Sequence, residues 1–205
     1  MPRLWATLIG YAFGCLLFAV LVCRLGLHQD PTKVGSGNPG TANVGAVFGK
    51  KWGIITCIGD IAKTVICLLL VQYFLAERIA LVYAGLGLVL GHCFPFWDHF
   101  QGGKGVTVTV WFAAIYDVRA AAVTLLIALI LMIVLKNLTL PPLVFILLFS
   151  LYELTQVKEA GIVLLFITLI MTFKFRHDLV DFFTGKGKKV DVLYSIKKKL
   201  GIKVQ

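Results

Sequence analysis

The sequence predicts an all-α polytopic membrane protein, and three observations carry that reading. Hydrophobic residues make up 59% of the 205-residue chain against 15% charged, an imbalance that a soluble fold of this size cannot cover. Apolar runs approaching the roughly 20 residues of a membrane helix recur along the whole chain. The 20 lysines and arginines, against 10 acidic residues, are unevenly spread, and their distribution orients the spans.

Seven apolar stretches are predicted as helices: 4–22, 52–75, 79–96, 106–116, 120–135, 138–152 and 160–173. The first is apolar and uncharged, and no small-residue cleavage pattern follows it. It therefore reads as a permanent span rather than a removed signal. The stretch 106–116 is short enough to be re-entrant, and charge decides the matter. If all seven cross with the N-terminus outside, the inner segments hold Arg24, Lys33, Lys50, Lys51, Lys104, Lys136 and the nine basic residues of the tail. The outer segments hold only Arg3, Arg78, Arg119 and Lys158. That asymmetry fits the positive-inside rule, whereas a re-entrant 106–116 would put the basic tail outside. The expectation is one domain over 1–205, seven transmembrane helices, an outer N-terminus and a cytoplasmic C-terminus. The basic tail 174–205 suits anionic lipid headgroups better than nucleic acid.

This topology sends three glycine-bearing polar segments, 26–51, 91–105 and 174–189, to one cytoplasmic face. The outer connections 76–78 and 117–119 are tight turns. In "VGSGNPGTANVGAVFGKK" (34–51), Gly35, Gly37 and Gly40 open backbone conformations that let successive N–H groups converge on an anion. A short helix from Ala42 would aim its N-terminus at the same place. The same residues also suit an ordinary turn with a Ser or Thr helix cap. No Gly-Lys-Ser/Thr follows, so this is not a Walker loop. In "QGGKG" (101–105), Lys104 stands among Gly102, Gly103 and Gly105. A lysine that only anchors a span needs no glycines, so this pattern favours phosphate contact.

His92, His99 and His177 lie in the same segments, where an imidazole can move a proton near neutral pH; His28 has no assigned role. Asp60 and Lys63 are three apart within the second span. They read as a buried ion pair or as positive potential beneath the site. The five cysteines, Cys15, Cys23, Cys57, Cys67 and Cys93, form no Cys-x-x-Cys pair, so reduced thiols and no metal site are expected.

Taken in order, "GSGNPGTANVGAVFGKKWG", "GD" at 59–60 with Lys63, "GHCFPFWDHFQGGKGV" and "FRHDLVDFFTGKGKK" resemble the bacterial acyl-phosphate:glycerol-3-phosphate acyltransferase family, over nearly the whole chain. The resemblance implies an integral enzyme of the inner membrane, working at its cytoplasmic face as a monomer. It would move an acyl group from acyl phosphate to the 1-hydroxyl of glycerol 3-phosphate, giving lysophosphatidic acid and phosphate. Acyl phosphate is already activated, so no cofactor is implied. The family's pattern puts phosphate at Ser36, Gly37, Asn38, Gly40, Thr41 and Asn43. It puts substrate contacts at His92, Gly102, Gly103, Gly105 and Arg176, and catalytic roles at Lys104 and His177.

The chain departs from the family's pattern in several places. Val180 stands for an asparagine, Gly187 for a glutamate and Ala46 for an arginine. Thr139, Leu140, Pro141 and Pro142 replace a serine-bearing stretch, and Cys15 and Leu16 stand where the first span usually carries a serine and its neighbour. These changes keep a second reading open, that of a weakened or acceptor-switched relative that binds acyl phosphate or lipid. A small anion carrier is disfavoured because the chain lacks two similar halves with broken spans.

Overall fold

The computed structural model describes residues 1–187, so the part of the basic tail from 188 to 205 lies outside the described residues. The described residues form helices joined by loops: α1 Pro2–Gly14, α2 Phe18–Leu21 with a π turn Val22–Gly26, α3 Thr41–Phe48 and α4 Lys50–Leu75. There follow α5 Arg78–Cys93, α6 Val106–Tyr116, α7 Val118–Leu135, α8 Leu140–Gln156, α9 Lys158–Lys174 and α10 Arg176–Phe183. Each of the seven expected helices has a counterpart here.

Four segments are long and apolar enough to cross a membrane: Pro2–Gly26, Lys50–Leu75, Arg78–Asp98 and Val118–Leu135. Val106–Tyr116 and Leu140–Gln156 are shorter apolar helices. The outer surfaces are oily, with Leu69, Val123, Leu126, Val134, Phe166 and Leu169 largely exposed. Such an apolar exterior is what a lipid solvent allows.

The first expected span, 4–22, is not continuous. Its helix stops at Gly14 and restarts at Phe18, which frees carbonyls that have no water to turn to. Other elements satisfy them. Lys63 Nζ donates to Gly14 O (3.3 Å) and Leu16 O (2.8 Å), and Trp97 Nε1 donates to Cys15 O (2.8 Å). The restart packs Phe18 on Gly59 of α4, where a Cβ would collide with the ring.

The tightest packing joins α1 to α5. Gly10 and Gly14 on one helix face Gly87 and Gly91 on the other, each four apart. A Cβ at any of them would strike a carbonyl oxygen of the partner: Ala84, Leu88, Thr7 and Tyr11 respectively. This is small-residue packing of the kind that brings membrane helices close. It went unread in the sequence because the surrounding residues are uniformly apolar.

The turns at 76–77, 117 and 157 gather at one end of the bundle. There Arg3 pairs with Glu159, and Arg78 bonds Tyr116 O (3.3 Å). The glycine-bearing segments gather at the other end.

Replacing Gly87 with Val forces α1 and α5 apart and should cost about 2–3 kcal/mol. In detergent this reads as a melting temperature lower by about 5–10 °C. Val123→Ala on the lipid-facing surface should move it far less, and equal shifts would refute the close packing.

Candidate active site

The loop between the π turn and α3 is shaped by two side chains. Asp30 accepts from Thr32 N (2.9 Å) and Thr32 Oγ1 (2.6 Å), and pairs with Arg24 (3.0 Å). The Thr32 hydroxyl leads in holding the Asp30 carboxyl down, to about 2. Buried Asn43 accepts from Ser36 N (2.9 Å) and donates to Pro31 O (3.0 Å) and Val34 O (3.1 Å). Both amide hydrogens are thus committed to the loop. The Asn43 side chain therefore shapes the loop, and what Asn43 still offers an anion is its backbone N–H in the open first turn of α3.

Gly35 and Gly37 have φ of +61° and +70°, the left-handed backbone that glycine alone adopts readily. Ser36 is exposed and its Oγ accepts from Asn38 N at 3.4 Å. Gly40 is the N-cap of α3, and no side chain caps that helix. Thr41 Oγ1 is buried without a hydrogen-bond partner.

The second segment folds back on the end of α5. Gly102 N donates to Cys93 O (3.1 Å) and Gly103 N to His92 O (2.9 Å). A Cβ on Gly102 would strike His92 O, and one on Gly103 would strike His92 Nε2. These two glycines therefore serve packing against His92, which a reading based only on ligand approach does not distinguish. Gly105, at φ +78°, is the N-cap of α6. Lys104 reaches the third segment, with Nζ 2.7 Å from Asp178 Oδ1 and 2.6 Å from Oδ2, over the Phe175 ring at 4.8 Å.

Two residues of the third segment carry contacts that the sequence did not single out. Lys174 Nζ donates to Cys93 O and Gly102 O, both at 3.0 Å. Asp178 is the partner of Lys104. A charge of the right sign inside each segment was the only signal for them, and it does not choose among many pairings. Arg176 turns back to Phe173 O (3.0 Å). His177, in the first turn of α10, is exposed and makes no hydrogen bond among the described residues. Val180 is exposed, and Gly187 lies beside Asn137 in the α7–α8 connection.

The three segments thus meet. Arg24 links the first to the second through Asp98 (3.1 Å), and Lys104 and Lys174 link the second to the third. Helices α3, α6 and α10 begin here without side-chain caps, so their open N–H groups add positive potential to that of the lysines. At the opposite end, α7 is capped by Asp117.

Beneath the joint, Lys63 and Asp60 are buried 2.9 Å apart. Lys63 Nζ also lies 3.0 Å from Nδ1 of buried His92. A cluster of cationic donors and open helix ends beside an oily bundle suits a ligand with a phosphate head and an apolar tail.

A profile of the glycerol-3-phosphate acyltransferase family matches residues 4–185. The chain belongs to the glycerol-3-phosphate acyltransferase family. Within this family it is 62% identical to glycerol-3-phosphate acyltransferase 1 of Lactobacillus acidophilus, over 99% of both chains. It is 60% identical to the Lactobacillus johnsonii protein of that name, over 98% of this chain and 99% of the relative. Its fold matches the crystal structure of PlsY (YgiH), an integral membrane glycerol 3-phosphate acyltransferase, in its glycerol 3-phosphate form. That match has a TM-score of 0.83 at 24% identity and covers 96% of this chain and 99% of the other. The lysophosphatidic acid form of PlsY matches with a TM-score of 0.79.

Asn43→Ala removes three hydrogen bonds of about 1 kcal/mol each. Amide exchange in residues 32–37 should quicken by about 30- to 100-fold, and unchanged exchange would deny Asn43 its role. The depressed Asp30 carboxyl contributes to folding above its unfolded value of 3.8 and loses that contribution as pH falls toward about 2. Proteolysis of the loop should therefore be flat from neutral pH down to about 5 and rise only below about 4.

Proposed function

We propose that this protein transfers an acyl group from acyl phosphate to the 1-hydroxyl of glycerol 3-phosphate. The hydroxyl oxygen attacks the acyl carbon, the carbon–oxygen bond to phosphate breaks, and lysophosphatidic acid and phosphate leave. The hydroxyl proton goes to His177 or to the departing phosphate. Family membership supports the reaction, and the meeting of three donor-rich segments at one end of an oily bundle carries the assignment of the site.

In this reading Ser36, Gly37, Asn38, Gly40 and Thr41 hold one phosphate at the open start of α3. Lys104 neutralises charge on the acyl phosphate, giving up part of its pairing with Asp178 when an anion arrives. Gly102, Gly103 and Gly105 keep the Lys104 segment against His92 and α6. Arg176 and His177 lie at the start of α10, where the acceptor would approach. The acyl chain would lie along an open apolar groove at the α1 break, lined by Cys15, Leu16, Leu17, Leu21 and Trp97.

Chemistry of this kind needs orientation and charge stabilisation more than a nucleophile. Seven crossings, an outer N-terminus and a site on the cytoplasmic side of the inner membrane complete the proposal. A monomer suffices, since all three segments come from one chain.

The purified protein in detergent, given acyl phosphate and glycerol 3-phosphate, should release phosphate only when the acceptor is present. Lys104→Ala should lower kcat by about 100- to 1,000-fold while lowering the melting temperature by no more than about 4 °C. Acceptor-independent binding of acyl phosphate with no turnover would replace this reading with that of a lipid-binding relative. Val180→Asn should equal or exceed the parent rate with glycerol 3-phosphate. A large loss would point to an acceptor that is apolar at that position.

A further inference from the structure

Lys63 lies within α4, in the transmembrane bundle, yet its ammonium touches a residue of the site. As an ammonium it has three hydrogens and only donates. Gly14 O, Leu16 O and His92 Nδ1 lie within reach of them at 3.3, 2.8 and 3.0 Å. Asp60 supplies the counter-charge at 2.9 Å. His92 Nδ1 must therefore accept, and the ring hydrogen is forced onto Nε2. Asp60 Oδ1, 3.8 Å from Nδ1, is too far to draw a hydrogen there while Lys63 stands between them.

His92 is 4% exposed, and its Nε2 makes no hydrogen bond among the described residues. That atom packs so closely on Gly103 that a Cβ there would strike it, with Pro39 O close by. A donor is thus held at the joint between the first two glycine-bearing segments.

We propose that Lys63 is a positioning residue: it locks His92 in the Nε2–H tautomer, so that the imidazole donates a hydrogen bond to a phosphoryl oxygen of the substrate where the first two glycine-bearing segments meet. This rests on the acyl-transfer reading above for the identity of the phosphate compound. The donor needs no proton transfer of its own. It is aimed before the substrate arrives, which is the arrangement that stabilises developing charge without reorganisation.

The test is nitrogen NMR of the full-length protein labelled at histidine, with the His92 signal assigned by its absence in His92→Gln. Wild type should show a bare Nδ1 and a protonated Nε2. Inorganic phosphate, glycerol 3-phosphate or a non-hydrolysable acyl phosphate analogue should shift the Nε2–H signal, and the ligand that shifts it most identifies the phosphate concerned. Lys63→Met should put a hydrogen on Nδ1, because Asp60 then becomes its nearest partner. If that variant does not stay folded, the wild-type spectrum decides alone. In turnover, His92→Phe should lose about 100-fold in kcat with little change in KM, and His92→Gln, which keeps an N–H near Nε2, should recover most of it. A hydrogen on Nδ1 in wild type, an Nε2 signal that none of the three ligands moves, or equal losses in His92→Phe and His92→Gln would overturn the proposal. Absence of acyl transfer by wild type would instead remove the reaction while leaving the spectra to judge the donor.

Discussion

The ammonium of Lys63 is the interaction on which the structure depends. A charge buried in a membrane bundle is costly unless it is paired and its hydrogens are used, and here both conditions hold. Asp60 lies beside it on the same helix face, and Gly14 O, Leu16 O and His92 are also within its hydrogen-bonding reach. One side chain on α4 therefore holds the broken first span, satisfies two carbonyls that lipid cannot solvate, and touches the end of α5. The same three elements are brought close by glycines, with α1 on α5 and Phe18 against Gly59 of α4. Close backbone approach and a central cation support each other: the glycines bring the carbonyls within reach of the lysine, and the lysine makes the break tolerable.

The break also places chemistry. It ends α1 where the second segment returns over α5, so that Trp97 can close on Cys15 O beside an open apolar groove. Just beyond, three uncapped helix starts and the lysines 104 and 174 accumulate positive potential in a region bordered by oil. Such a region offers donors to a phosphate head, while an acyl tail needs no donors at all. The opposite end of the bundle is organised differently. An ion pair and a hydrogen bond join Arg3, Glu159 and Tyr83 there, and Asp117 caps α7.

Glycine does several distinct jobs in this chain. In the first loop, Gly35 and Gly37 adopt left-handed backbone while Gly40 is extended. In the second segment, Gly102 and Gly103 are small because His92 and its carbonyl occupy the space a side chain would need. Between α1 and α5 they let two helices touch. The letters are the same in each place, and only the neighbours tell the roles apart.

The sequence by itself determined the solvent, the helices and the polar segments that matter. Apolar runs and basic punctuation report directly what surrounds each residue, and the motifs from Gly35 to Asn43 and from Gln101 to Gly105 mark the family. It also placed Asp60 and Lys63 on one face, because i and i+3 spacing is a local property of a helix. Only the tertiary structure decided what those groups touch. The interruption at 15–17 carries no proline and reads as uniform apolar sequence. The bonds that make it possible come from Lys63, 47 and 49 residues away. The turning of Asn43 into the loop, the choice of Asp178 by Lys104 and the grip of Lys174 on the second segment are likewise made across the fold. Periodicity records which side of a helix is buried; which distant atom meets it is set by how the helices cross, and the residues that set the crossing are glycines with no side chain to announce it.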